Sequence, residues 1–195
     1  NKLLWDRHIA MIVDKGKKAL QTQRCLFAQR QLPMKIKRLT FTVMVRSKLE
    51  HASQVWCANT KQAAMLESIQ HAGCVWMLRV NSKTSRIALR KILGLPSLKA
   101  RRDMLRLFYV GILLSKSLDT WPRQCFETEP SPINKVIGIS QSHWITRFQN
   151  LLNAYKLQDS YETVLEDSKA WSGVLQDYSP PSGELITPVK DWRSS

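Results

Sequence analysis

The sequence predicts an all-α fold, and three observations carry that reading. Apolar residues recur at the three- and four-residue spacing of a helix face along most of the chain. Asn, Ser, Gly and Pro punctuate those stretches where helices start and stop. Alternating apolar and polar runs of the kind that mark strands are weak throughout. At 195 residues, 44% of them hydrophobic and 23% charged, the chain has enough apolar material for one domain or two small ones.

The first helix is expected over residues 3–31. At about 100° per residue, Trp5, Ile9, Ile12, Val13, Gly16, Ala19, Leu20 and Phe27 fall on one face. Gly16 within that face implies a close approach by another backbone. Pro33 suits the start of a second helix, because its missing N–H has no helical partner there. That helix is expected to reach Trp56. Ile36, Leu39, Val43 and Met44 cover one side of it, and Phe41, Val45, Ala52 and Trp56 much of the other. Only a strip of Lys35, Arg38, Thr42 and Arg46 is left for water. A helix apolar nearly all round belongs at the centre of a bundle.

A third helix, 60–79, takes Asn59 or Thr60 as its cap and buries Leu66, Ile69, Gly73, Trp76, Met77 and Val80. A short fourth helix over 84–93 stops at Gly94, with Pro96 beyond it. A fifth, 97–117, buries Leu98, Leu105, Tyr109, Ile112 and Leu113, with Lys99, Arg102 and Arg106 as a basic strip beside that face. Residues 1–118 therefore form a basic helical bundle. Trp121-Pro122, Pro130, Pro132 and Gly138 mark 119–139 as a linker, residues 140–178 read as a pair of amphipathic helices, and 179–195 as an extended or disordered tail.

Charge is the strongest pointer to function. The net charge is +15. Residues 1–110 hold 22 Lys and Arg against 5 acids, a net of +17; residues 111–195 hold 8 against 10, a net of −2. Such a field attracts polyanions, and cations set among the core positions of several helices favour nucleic acid over a membrane surface. No apolar run approaches the roughly 20 residues of a membrane span. With no signal peptide at its start, an intracellular protein, nuclear or cytoplasmic, is expected. The first residue is Asn1, which implies a piece of a longer product.

The candidate contacts are Lys35, Arg38 and Arg46, which fall within about 80° on an ideal helix, together with Arg86, Arg90, Lys91, Lys99, Arg102 and Arg106. Lysine and arginine on a line meet phosphates rather than base edges. Trp5, Trp56 and Trp76 sit at core spacing and read as packing residues. Four dispersed cysteines and four histidines complete no metal set. The five acids of the basic half are scattered, so the carboxylate pair needed for two-metal phosphoryl chemistry is not formed. No phosphate-binding G-x-x-x-x-G-K-[ST] loop occurs. No catalytic residue, cofactor or metal is expected.

The order of several landmarks resembles a known family. Trp5, His8-Ile9, Ile12 and Lys15 come first, followed by Ser47-Lys48-Leu49-Glu50-His51-Ala52-Ser53-Gln54-Val55-Trp56. Leu66-Glu67-Ser68-Ile69-Gln70 and Ala88-Leu89-Arg90-Lys91-Ile92-Leu93-Gly94-Leu95-Pro96-Ser97-Leu98 follow in turn. This succession, over residues 3–118, resembles the segment behind the palm of non-LTR (LINE-type) retrotransposon reverse transcriptases. The family has Tyr-Gly where His51-Ala52 stand here, and residues 119–195 carry no family landmark. The resemblance implies a thumb-like bundle that holds an RNA/DNA template–primer duplex and works beside the fingers and palm of the parent polymerase. The magnesium-dependent active site of that parent would then precede Asn1. The alternative is a free-standing basic helical protein, derived from a retroelement, that binds nucleic acid or scaffolds a partner.

Overall fold

A computed structural model describes residues 5–56, 58–114, 116–117, 119–127, 148, 150–155 and 157. Among them helix predominates and no strand occurs. Of the described residues, 5–102 belong to one compact unit and 103–157 to another.

In the first unit α1 (Asp6–Thr22) buries Ile9, Ile12, Val13, Gly16, Ala19 and Leu20, the stripe that the periodicity predicts. The expected single helix is interrupted, however. The Gln23 N–H is shared between the carbonyls of Ala19 (3.3 Å) and Leu20 (3.1 Å), a tightened turn of the kind found at helix ends. A short α2 (Arg24–Ala28) follows and buries Phe27. Two cations meet its carboxyl end. Buried Lys37 donates from Nζ to the Phe27 carbonyl at 2.9 Å, and Arg79 Nη1 donates to that of Ala28 at 3.4 Å. Charges there satisfy end carbonyls and oppose the helix dipole.

The second predicted helix differs from expectation in phase and in length. α3 (Met34–Thr40) passes without a break into a π-helical segment (Phe41–Arg46) and then into α4 (Ser47–Glu50). A π segment follows an i→i+5 pattern and carries more residues per turn than an α-helix. Lys37, Phe41, Val45, Arg46 and Leu49 therefore all face the interior. Ile36, Leu39, Val43 and Met44, expected in the core, are exposed. The helix also stops at Glu50. Ala52 takes a left-handed conformation (φ 52°), and the chain turns to bury Trp56, whose Nε1 donates to the His51 carbonyl at 2.8 Å.

Two glycines let this helical run settle on its neighbours. A Cβ at Gly16 would meet the Leu49 side chain, and one at Gly73 would meet the Phe41 ring. What approaches Gly16 is thus a side chain of α4, not the backbone that its position in the sequence suggests.

α5 (Thr60–Leu78) begins in a capping box: Asn59 Oδ1 accepts from the Gln62 N–H and Gln62 Oε1 from the Asn59 N–H, each at 2.9 Å. It buries Leu66, Ile69, Gly73 and Met77 as expected, with Gln70 and Cys74 added, whereas Val80 lies beyond it and is exposed. α6 (Arg86–Leu93) ends at Gly94 in the left-handed region (φ 61°), where glycine carries no Cβ penalty.

The division between the two units falls inside α7 (Leu98–Leu114). The buried side of α7 is Leu98, Ala100, Met104, Leu107, Val110 and Leu113, so Ile112 is exposed, contrary to the sequence reading. Within the expected linker, α8 (Trp121–Glu127) is helical, with Pro122 in its first turn. Residues 148 and 150–154 are helical, within the stretch 140–178 expected to hold a pair of helices. The rest of the linker, the second helix of the expected pair and the tail lie outside the described residues.

Candidate nucleic-acid interface

The nine cations singled out in the sequence separate into two groups. Lys35 and Arg38 on α3, Arg86 and Lys91 on α6, and Lys99 at the start of α7 are exposed. Among the described residues none of these five forms an ion pair. Arg46, Arg90, Arg102 and Arg106 are turned to other tasks.

Arg46 is the clearest correction. Its predicted place beside Lys35 and Arg38 assumes an unbroken α-helix, and the π segment turns it inward to 5% exposure. There its Nε donates to Glu50 Oε1 at 2.5 Å, while Glu50 Oε2 accepts from Arg101 Nε at 3.3 Å. Burial pushes the Arg46 guanidinium below its ordinary pKa, and the attraction of Glu50 opposes that shift. Among the described residues Arg46 Nη2 has no hydrogen-bond partner.

Glu67 gathers a second set. Its Oε2 lies 3.8 Å from Arg90 Nη1, and its Oε1 accepts the Lys99 backbone N–H at 3.1 Å. One carboxylate thereby ties α5 to α6 and to the first turn of α7. Arg90 is spent on this pair, while the Lys99 side chain stays exposed. Arg102 is buried, with its guanidinium 5.8 Å from the centre of the Trp56 ring. His8 stands between Trp5 (5.9 Å) and Trp56 (6.2 Å), edge to face. Trp56 is fully buried, and Trp5 and Trp76 are partly buried against the core. In the second unit Arg106 Nη1 pairs with Asp103 at 3.2 Å.

The local fold also positions the exposed cations. Arg38 Nη1 donates to the Leu93 carbonyl at 3.4 Å and would lie 3.0 Å from a Cβ placed on Gly94. The carboxyl end of α6 therefore holds Arg38 in place and brings it beside the helix that carries Arg86 and Lys91. Lys35 lies about one turn before Arg38 on the same side of α3. Sequence reasoning missed Lys37, which is buried on the Phe27 carbonyl, and Arg101, the partner of Glu50. The charge pattern holds no signal for either, since both depend on neighbours brought together only by tertiary folding.

The chemistry open to this surface is attraction of a polyanion by charge. Among the described residues no three His, Cys, Asp or Glu side chains gather as a metal site, and no helix is long and apolar enough to cross a membrane. Burial pushes the Cys74 thiol up to about 12, which leaves it protonated and unreactive at neutral pH. Compared with protein-family models, curated proteins and solved structures, the chain matches none.

Proposed function

We propose that this chain is a C-terminal part of a non-LTR reverse transcriptase and that its first unit grips the template–primer duplex without performing chemistry. The observation that carries the reading is the set of five exposed cations, Lys35, Arg38, Arg86, Lys91 and Lys99, which form no ion pair among the described residues. Exposed cations of this kind neutralise phosphates and release counterions, so binding is insensitive to sequence and steeply dependent on salt. Arg46 and Arg102 are excluded from the grip by burial. The fingers and palm of the parent would supply the magnesium site.

The test is a salt titration of the wild-type chain and of Arg38→Ala/Lys91→Ala on two unrelated RNA/DNA duplexes. The variant should weaken both equally and flatten the log–log slope by roughly one to two units, since each phosphate neutralised on B-DNA adds about 0.9 to that slope. An unchanged slope would show a merely solvated surface. Weakening on one sequence alone would show base reading.

A further inference from the structure

The exposed side of α3 and the π segment holds more than charge. Ile36 is 41% exposed, Leu39 55%, Val43 58% and Met44 44%. Single exposed apolar residues are ordinary, but four on one side of one helix make a continuous patch. Backbone polarity along this side is also covered. Thr42 Oγ1 donates to the Arg38 carbonyl at 2.9 Å, and Ser47 Oγ donates to the Val43 carbonyl. The run consequently presents hydrocarbon with its intervening carbonyls already hydrogen-bonded.

The rim of the patch is positive. Lys35 and Arg38 lie along one edge, and exposed Lys48 stands at the carboxyl end. Glu50, the one acid between residues 34 and 50, is held by Arg46 and Arg101. We infer that Ile36, Leu39, Val43 and Met44 form a docking row for an amphipathic helix of a partner protein, one whose own apolar row is edged by carboxylates. Apolar side chains opposite the row bury it by ordinary helix-on-helix packing, and carboxylates at the edges meet Lys35, Arg38 and Lys48. A second copy fits poorly. A two-fold contact brings two copies of the same positive rim together, on chains that each carry a net charge of +15. Phosphates alone answer the rim and leave the row uncovered. The inference does not rest on duplex binding, and each can fail without the other.

The probe is a fluorescent synthetic helix of roughly 18 residues, five turns, with leucines on one face and glutamates on both flanks. Its control carries lysines in place of the glutamates. The full chain should bind the glutamate helix at least about tenfold more tightly than the lysine one. Leu39→Ser/Val43→Ser should weaken that binding about tenfold or more, with helix content by circular dichroism and duplex affinity unchanged. Lys35→Glu/Lys48→Glu should shift preference towards the lysine helix, a result that a folding defect does not produce. Equal binding of both helices, or unaltered binding by the serine variant, overturns the inference. So does a serine variant that weakens duplex binding, since the row would then belong to the nucleic-acid surface. Two other failures in that variant also overturn it: loss of self-association names a second copy, and loss of binding to phosphatidylserine vesicles names a membrane.

Discussion

Arg46 donates through Nε to Glu50 Oε1 at 2.5 Å, one turn further along the same helical run, with 6% of its own side chain and 14% of its partner's exposed. The charge looked for at the surface is a structural part of the interior. Removing one partner of such a pair leaves the other charge uncompensated. Glu50→Gln should therefore destabilise the chain by about 3 kcal/mol in urea unfolding, and Arg46→Met added to it should restore much of that stability. A Glu50→Gln variant within about 0.5 kcal/mol of wild type, the range of ordinary surface substitutions, would mean the pair is solvated in solution.

Lys37 separates charge count from charge placement. It is a cation on the same helix as Lys35 and Arg38, yet it is buried with Nζ on the Phe27 carbonyl. Lys37→Met should cost about 1–3 kcal/mol of stability, because that carbonyl is left without its donor, and should leave the salt dependence of duplex binding unchanged. A flatter slope at full helix content would add Lys37 to the proposed phosphate contacts.

The two packed glycines should respond differently to alanine. At Gly73 a new Cβ meets the rigid Phe41 ring, whereas at Gly16 it meets the end of the flexible Leu49 side chain. Gly73→Ala should destabilise by about 1–3 kcal/mol through overpacking. Gly16→Ala should cost less: both sites gain up to about 1 kcal/mol of helix propensity, but only at Gly16 can the clashing side chain, Leu49, relieve the contact by rotating. Phe41→Leu should recover part of the stability that Gly73→Ala removes, as read from thermal unfolding of the single and double variants.

Much of this architecture is written in local signals. The cap at Asn59, narrowed in the sequence to Asn59 or Thr60, the stop at Gly94 and the buried stripe of α1 each depend on residues within a few positions of one another, and residue type together with periodicity finds them. The phase of the second helical run does not. Nothing in Phe41–Arg46 announces a π turn, and an ideal wheel sends Arg46 to water and Ile36, Leu39, Val43 and Met44 to the core. Five of the nine candidate cations were legible as surface groups. Arg46 and Arg102 were not, since a guanidinium looks the same in sequence whether it faces solvent, a carboxylate or the ring of Trp56.

Cys74 gives a pH-dependent prediction. Its thiol is raised from 9.0 to about 12 by burial, so the folded state keeps a proton that the unfolded state releases. The associated stability is fully present below pH 9 and is lost as the pH rises towards 12. Cys74→Ala should therefore show a shallower fall in stability across that window than wild type in urea unfolding. In the native chain at pH 8, iodoacetamide should label exposed Cys25 and spare Cys74, as peptide mass spectrometry would read. Rapid labelling of Cys74 would show that the site opens readily.

The π segment also bears on which changes of length the helical run tolerates. Phe41, Arg46 and Leu49 share the inward side although five and eight positions separate the first from the others. Delete one outward residue between them, Thr42 or Val43, and the separations become four and seven, the spacing at which an ordinary α-helix keeps side chains on one face. The wide turn can then close to the i→i+4 pattern while the same three side chains still point inward. A chain shorter by one residue here is thus compatible with the same buried face, whereas a deletion within α1 or α5 has no such slack and rotates everything beyond it by about 100°.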